Sequence, residues 1–198
     1  KLSPETLEKR PELLNLFISG LMDANFTGRR LGLTEQVMEL GDAFGRVMPK
    51  FASLGELMKA QALNDAGRLD EGLALMQAAS RREDTPTTTI KALAAEALWF
   101  ERAEDALNML APLPDPDLPE KDQAGRRELA EINYLRFRCL AALNRLDEAE
   151  QAWLRAHHQS RQSPPPSREI VAMFIEHGDL DKALEFADRE SKAATRGL

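Results

Sequence analysis

The side chains here best suited to acid–base, nucleophilic or metal chemistry are three histidines and a single cysteine. His157 and His158 are adjacent. On a helix they diverge by about 100°, so they cannot make the i, i+4 pair that a metal site on one helix face uses. His177 falls where an apolar stretch ends, and a partly positive ring suits the negative end of a helix. Cys139, inside "YLRFRCLAAL", reads as a small buried hydrophobe rather than a nucleophile. Acids such as Glu101, Glu104 and Asp105 read as solvated helix faces. There is no G-x-x-x-x-G-K-[ST], H-E-x-x-H or G-x-S-x-G, and no cysteine pair for zinc. The expectation is a protein that is not an enzyme and needs no metal or cofactor.

The elements that would position such groups are helices. Leu, Ala, Glu and Arg dominate, while runs of Val, Ile, Thr and Tyr are nearly absent. The 198 residues are 43% hydrophobic and 30% charged, enough to build a core. The net charge of -7 suits a phosphate backbone poorly, and Arg29–Arg30, Arg81–Arg82 and Arg126–Arg127 are short basic spots near acids. No nucleic-acid partner is expected. Nor is membrane insertion, because no apolar run approaches 18 residues. One cysteine permits no internal disulfide, which favours a reducing, cytoplasmic setting. The Ala/Leu/Arg-rich composition suggests a bacterial source. A first residue of Lys rather than Met suggests a processed chain or a piece of a longer one.

One short pattern recurs: "GRLDEGLALM" from Gly67, "NRLDEAEQAW" from Asn144 and "HGDLDKALEF" from His177. Its small central residues are Gly72, Ala149 and Ala183, and the last two are 34 residues apart. From Gly72, 34 residues onward lies Ala106, in a more worn copy, "ERAEDALNML". The next interval, from Ala106 to Ala149, is 43 residues, and "PLPDPDLPEKD" accounts for the surplus of nine. Pro112, Pro114, Pro116 and Pro119 there forbid a continuous helix. Each copy follows an apolar stretch, so each unit reads as two helices. Gly67, Asn144 and Gly178 suit the left-handed turn between them, and Asp70, Asp147 and Asp181 favour the first turn of the second helix. Ser53 and Glu56 have the spacing of a capping box. "SPPPS" at 163–167 separates the third unit from the fourth.

A 34-residue helix–turn–helix period resembles the tetratricopeptide repeat family. With Ser53, Thr87, Ala130 and Pro164 as position one, the family's small position eight falls on Ala60, Ala94, Phe137 and Val171. Position twenty falls on Gly72, Ala106, Ala149 and Ala183, and position twenty-seven on Ala79, Leu113, Ala156 and Glu190. Phe137, Val171, Leu113 and Glu190 depart from the pattern, so the repeats are degenerate. The resemblance implies an all-α, right-handed helical-repeat solenoid of antiparallel helix pairs. Residues 53–198 would hold about four repeats with a loop inserted near 112–123. Residues 1–52 would form an N-terminal helical pair, a diverged repeat or a cap. In that segment Ser3 and Pro4 open a helix with a stripe of Leu13, Leu14, Phe17, Ile18 and Leu21. Pro49 stops the next helix, and Gly41 and Gly45 share a face that lets a backbone approach closely.

In this family first helices line a concave face that binds peptides or protein segments. The groove positions carried over include Leu57, Gln61, Asn64, Lys91, Trp99, Tyr134, Arg138 and Arg168. Trp99, Tyr134 and Arg138 are of the types that anchor interfaces. A second reading stays open, in which Trp99 packs at its helix end and Tyr134 fills space beside the insertion. Trp153, at position twenty-four, is a core position. The expected function is a protein–protein interaction scaffold or adaptor, with a homodimer also open through uncovered terminal repeats. The alternative is a regulatory or sensory domain of a larger protein that binds a short peptide or small ligand.

Overall fold

A computed structural model describes residue 6 and residues 9–116, 118–119, 122–160 and 167–196, with side chains as far as residue 188. Among these are ten α-helices: α1 (Pro11–Arg30), α2 (Thr34–Val47), α3 (Ala52–Asp65), α4 (Leu69–Ser80), α5 (Thr87–Trp99), α6 (Ala103–Leu110), α7 (Gln123–Ala142), α8 (Leu146–Gln159), α9 (Ser167–Glu176) and α10 (Leu180–Arg196). The fold is the all-α, tetratricopeptide-like arrangement of helix pairs that the 34-residue period implies. The chain divides into two compact units, Lys1–Met109 and Leu110–Leu198.

Five turns of one design join the pairs. Gly32, Gly67, Glu101, Asn144 and Gly178 all have positive φ, between 58° and 77°. At each, the next residue's N–H reaches back five residues: Leu33 to Gly28 O, Arg68 to Leu63 O, Arg102 to Ala97 O, Arg145 to Leu140 O and Asp179 to Phe174 O. Each of these bonds is 2.8–2.9 Å long. This satisfies carbonyls that a helix end leaves bare. The motif therefore closes α1 onto α2 as well as the four pairs read from the sequence.

In the first unit, Leu21, Phe44, Met48 and Met58 form a core with Leu13, Leu14, Leu40 and Leu54 packed against it. Helices α2 and α3 cross where glycines remove the side chains. A Cβ on Gly41 would lie 2.7 Å from the Gly55 carbonyl oxygen, whereas one on Gly45 would make ordinary contact with Ala52 at 3.6 Å. In the next pair, a Cβ on Gly72 would lie 3.0 Å from the Ala60 carbonyl, which explains the small residues at both positions. The capping box is not formed: α3 starts at Ala52 after a 3-10 turn at Pro49–Phe51 and has no side-chain cap. Ser53 is buried one residue inside the helix, and Glu56 instead pairs with Lys59 at 3.1 Å. The expected opening at Ser3 and Pro4 lies outside the described residues, and α1 has Pro11 in its first turn.

In the second unit α7 packs on α8 and α9 on α10. Trp153 is buried, meeting Phe186 edge-on at 5.4 Å, and Phe186 stacks on Phe174 at 5.7 Å. The start of the inserted segment is tied down at Leu113 and Asp115. Asp115 accepts from Asn133 Nδ2 at 2.8 Å and from Arg155 at 2.9 Å, while Arg136 donates to the Leu110 and Leu113 carbonyls at 3.0 and 2.7 Å. Of "SPPPS", only Ser167 lies within the described residues, at the start of α9.

Candidate functional site

The expected groove residues fall into both units, and each set is built by its own helices. In the first unit α1, α3 and α5 carry a polar ladder. Asn25 Nδ2 donates to Gln61 Oε1 at 3.1 Å, Gln61 Nε2 donates to Glu96 Oε2 at 3.2 Å, and Asn64 Nδ2 reaches Glu96 Oε1 at 3.4 Å. The Glu96 carboxylate can only accept in its ionised form, so it orients the chain of amides behind it. That orientation leaves Asn25 Oδ1 buried without a partner among the described residues. Beside the ladder, Arg29 Nε donates to Asp65 at 2.6 Å.

Of the five expected residues here, Leu57 and Asn64 are buried, at 4% and 3% exposure, because neighbouring helices α1 and α5 pack against α3. Neither side chain is open to a partner in this arrangement. Gln61 and Lys91 are half-buried. Trp99, at the last turn of α5, is 79% exposed. It does not pack at its helix end, so that alternative is not what the structure shows. Asn25 and Glu96 had not been singled out. Their signal was the spacing of 36 and 35 residues through Gln61, which matches the repeat period with small offsets.

In the second unit Tyr134 on α7 donates to Glu169 Oε2 on α9 at 2.5 Å. Burial, then the hydrogen bond and charge of Glu169, push the Tyr134 hydroxyl up to about 12, against the opposing fields of Arg138 and Arg168. Tyr134 therefore stays protonated and ties the two helices. It also stacks on Phe137 with centroids 6.1 Å apart. Arg138, one turn beyond Tyr134, and Arg168, beside Glu169, are both exposed. The structure thus brings Tyr134, Arg138 and Arg168 to one face. Their arrangement can offer an aromatic edge and two guanidinium forks to a carboxylate or backbone carbonyl.

The groups suited to catalysis are occupied otherwise. Burial pushes the Cys139 thiol up to about 11, which leaves it protonated and unreactive near neutral pH. His177 Nδ1 lies 2.7 Å from the Met173 carbonyl at the end of α9. His157 stacks on Trp153 at 4.9 Å. Among the described residues no group of three His, Cys, Asp or Glu side chains could hold a metal ion, and no helix is long and apolar enough to cross a membrane.

The class these observations define is a tetratricopeptide-like array of helix pairs with polar and aromatic faces on its first helices. Among solved structures, the chain is similar to "MamA 41-end from Desulfovibrio magneticus RS-1", with a TM-score of 0.57 and 13% identity over 90% of this chain and 95% of that one. It is also similar to "MamA RS-1 ArsTM double mutant", with a TM-score of 0.56, 13% identity and the same coverage. At this identity the likeness is one of fold. No family model matches the chain, and no curated protein does.

Proposed function

We propose that the protein is an interaction scaffold that binds a peptide or protein segment on its first-helix faces and catalyses no reaction. The observation that carries this reading is Trp99, 79% exposed at the end of α5, three residues on from Glu96 of the ladder. A large aromatic left in water gains nothing for the fold, and Trp is the residue type most able to anchor a partner. On the second unit, Tyr134, Arg138 and Arg168 supply a comparable set, which favours a segment carrying carboxylates.

The test is affinity capture with wild type, a Trp99→Ala variant and a Tyr134→Ala/Arg138→Glu/Arg168→Glu variant, each first matched to wild type in helicity. Partners retained by wild type and lost by either variant support the reading. Partners retained equally by all three overturn it.

The sensory alternative rests on a different feature. A cleft of ≈ 430 Å³ lies between α1 and α2, lined by Ala24, Leu31, Leu33, Val37 and Leu40. That volume is in the range of small-ligand sites. Under this reading a small apolar compound raises the melting temperature, and Val37→Glu abolishes the rise.

A further inference from the structure

A recurrent charge contact joins three helix pairs to the pair that follows each. The third residue after each left-handed turn is acidic: Glu35, Asp70, Glu104, Asp147 and Asp181. Glu35 pairs with Arg68 at 3.2 Å, Asp70 with Arg102 at 2.8 Å and Asp147 with Lys182 at 3.2 Å. In each case the cation comes from the start of the second helix of the following pair. Asp181 holds the same place on α10 and, like Glu104 on α6, makes no ion pair among the described residues.

Apolar positions show the same truncation. Leu180 and Leu184 on α10 are 60% and 66% exposed, and Ile175 on α9 is 54% exposed. Their counterparts one complete unit from the turn at Gly67 are Leu69, Leu73 and Asn64. Asn64 is fully buried and the two leucines are half-buried, because α5 packs there. Exposed Ala187 takes the place that Gly41 holds on α2, where α3 crosses closely. Exposed Asp188 takes the place of Asp42, which pairs with Lys59 at 2.8 Å. The outward face of α9 and α10 is thus half of an interface that the same molecule completes elsewhere.

We infer that this face docks a basic amphipathic helix of a partner protein, whose apolar stripe covers Ile175, Leu180 and Leu184 and whose Lys or Arg residues meet Asp181 and Asp188. The chemistry of the occupant follows from the missing halves: Glu35, Asp70 and Asp147 each meet a cation of the next pair, and Leu69 and Leu73 are covered by the next helix. A second copy offering its α1–α2 end does not supply them. The turn at Gly32 puts Leu33 where Gly67 is followed by Arg68, and Ala24 stands where α3 carries Lys59, next to Asp23.

The experiment uses the full 198-residue chain and two synthetic helical peptides of about 20 residues. Both carry one Leu/Ala stripe, flanked by Lys in the first and by Glu in the second. Fluorescence anisotropy should show binding of the Lys peptide and none of the Glu peptide. Leu184→Glu should abolish that binding. Asp181→Lys/Asp188→Lys should weaken the Lys peptide by about tenfold or more, a change of about 1.4 kcal/mol, and admit the Glu peptide. The Tyr134→Ala/Arg138→Glu/Arg168→Glu variant should bind the Lys peptide as wild type does, which separates this face from the one assigned above. Asp181, Leu184, Asp188, Arg138 and Arg168 are exposed, whereas half-buried Tyr134 ties α7 to α9, so circular dichroism must show native helicity for each variant before binding is compared. Equal binding of both peptides, binding of neither, or insensitivity to Leu184→Glu overturns the inference. So does sedimentation showing a self-associated chain that Leu184→Glu converts to monomer, because a second copy is then the occupant.

Discussion

Gly41 and Gly55 meet backbone to backbone, each placed so that a Cβ would fall within 2.7 Å of the other's carbonyl oxygen. No flexible side chain can yield there, so the crossing of α2 on α3 depends on two absent methyl groups. Alanine at either position gains about 0.5–1 kcal/mol in helix propensity. Overpacking costs about 1–3 kcal/mol and outweighs it. Gly41→Ala and Gly55→Ala should each lower the thermal midpoint followed by circular dichroism. Gly20→Ala, with open space around its Cβ, should raise it slightly.

Glu101 is the one turn residue of the five with neither glycine's freedom nor asparagine's tolerance of positive φ. Glu101→Gly should stabilise the first unit by about 1 kcal/mol, and Gly67→Ala should destabilise it by a similar amount. Urea titration of the two variants checks both signs. If both move the midpoint the same way, strain at these turns is not what they report.

Asp115 should make the second unit sensitive to acid. Burial alone would push its carboxyl up, but hydrogen bonds from Asn133 and Gln159 and the charges of Arg155 and Arg136 hold it below the usual value. A folded-state pKa below the unfolded one adds stability above the unfolded value, near 3.9, that disappears as pH falls through the folded value. Asp115→Ala should cost about 1–3 kcal/mol at pH 7, since buried Asn133 loses a partner. That cost should shrink as pH falls through the folded-state value. A loss that stays constant through an acid titration would assign the effect to packing instead.

The two tryptophans should behave oppositely in fluorescence. Trp99 is 79% exposed and Trp153 is buried, so iodide should quench the first and spare the second. Trp99→Phe should leave blue-shifted, protected emission and change stability by less than about 0.5 kcal/mol. Strong quenching of the remaining emission would mean that α8 does not bury Trp153.

The Cys139 thiol, raised to about 11, should resist a thiol reagent at pH 8 in the folded chain and react at once in denaturant. Slow reaction in the native state would then time local opening of α7.

What could be read beforehand follows a physical divide. Gly67, Asn144 and Gly178 were legible because a left-handed turn restricts residue type so strongly. The turn at Glu101 escaped because an unsuitable residue occupies it, and the one at Gly32 because the pattern after it, "LTEQ", lacks the acidic pair. Cys139 was legible as core from the apolar helical stretch around it, and Trp153 from its place in the repeat register. The burial of Leu57 and Asn64 was not, because family register fixes direction around one helix and says nothing of how tightly neighbours close over it. Asp115 escaped for another reason. A proline-rich segment reads as loop, and only the positions of Asn133, Arg136 and Arg155 reveal that it is strapped to its helices.

The five turns have a consequence for synthesis. Each is closed by hydrogen bonds spanning at most five residues, so a helix pair needs nothing distant to find its own geometry. Loop-closure entropy stays small when partners are near in sequence. As the chain leaves the ribosome, each helix pair can close on itself as soon as its own residues have emerged. Translation itself would then set the order in which the pairs form.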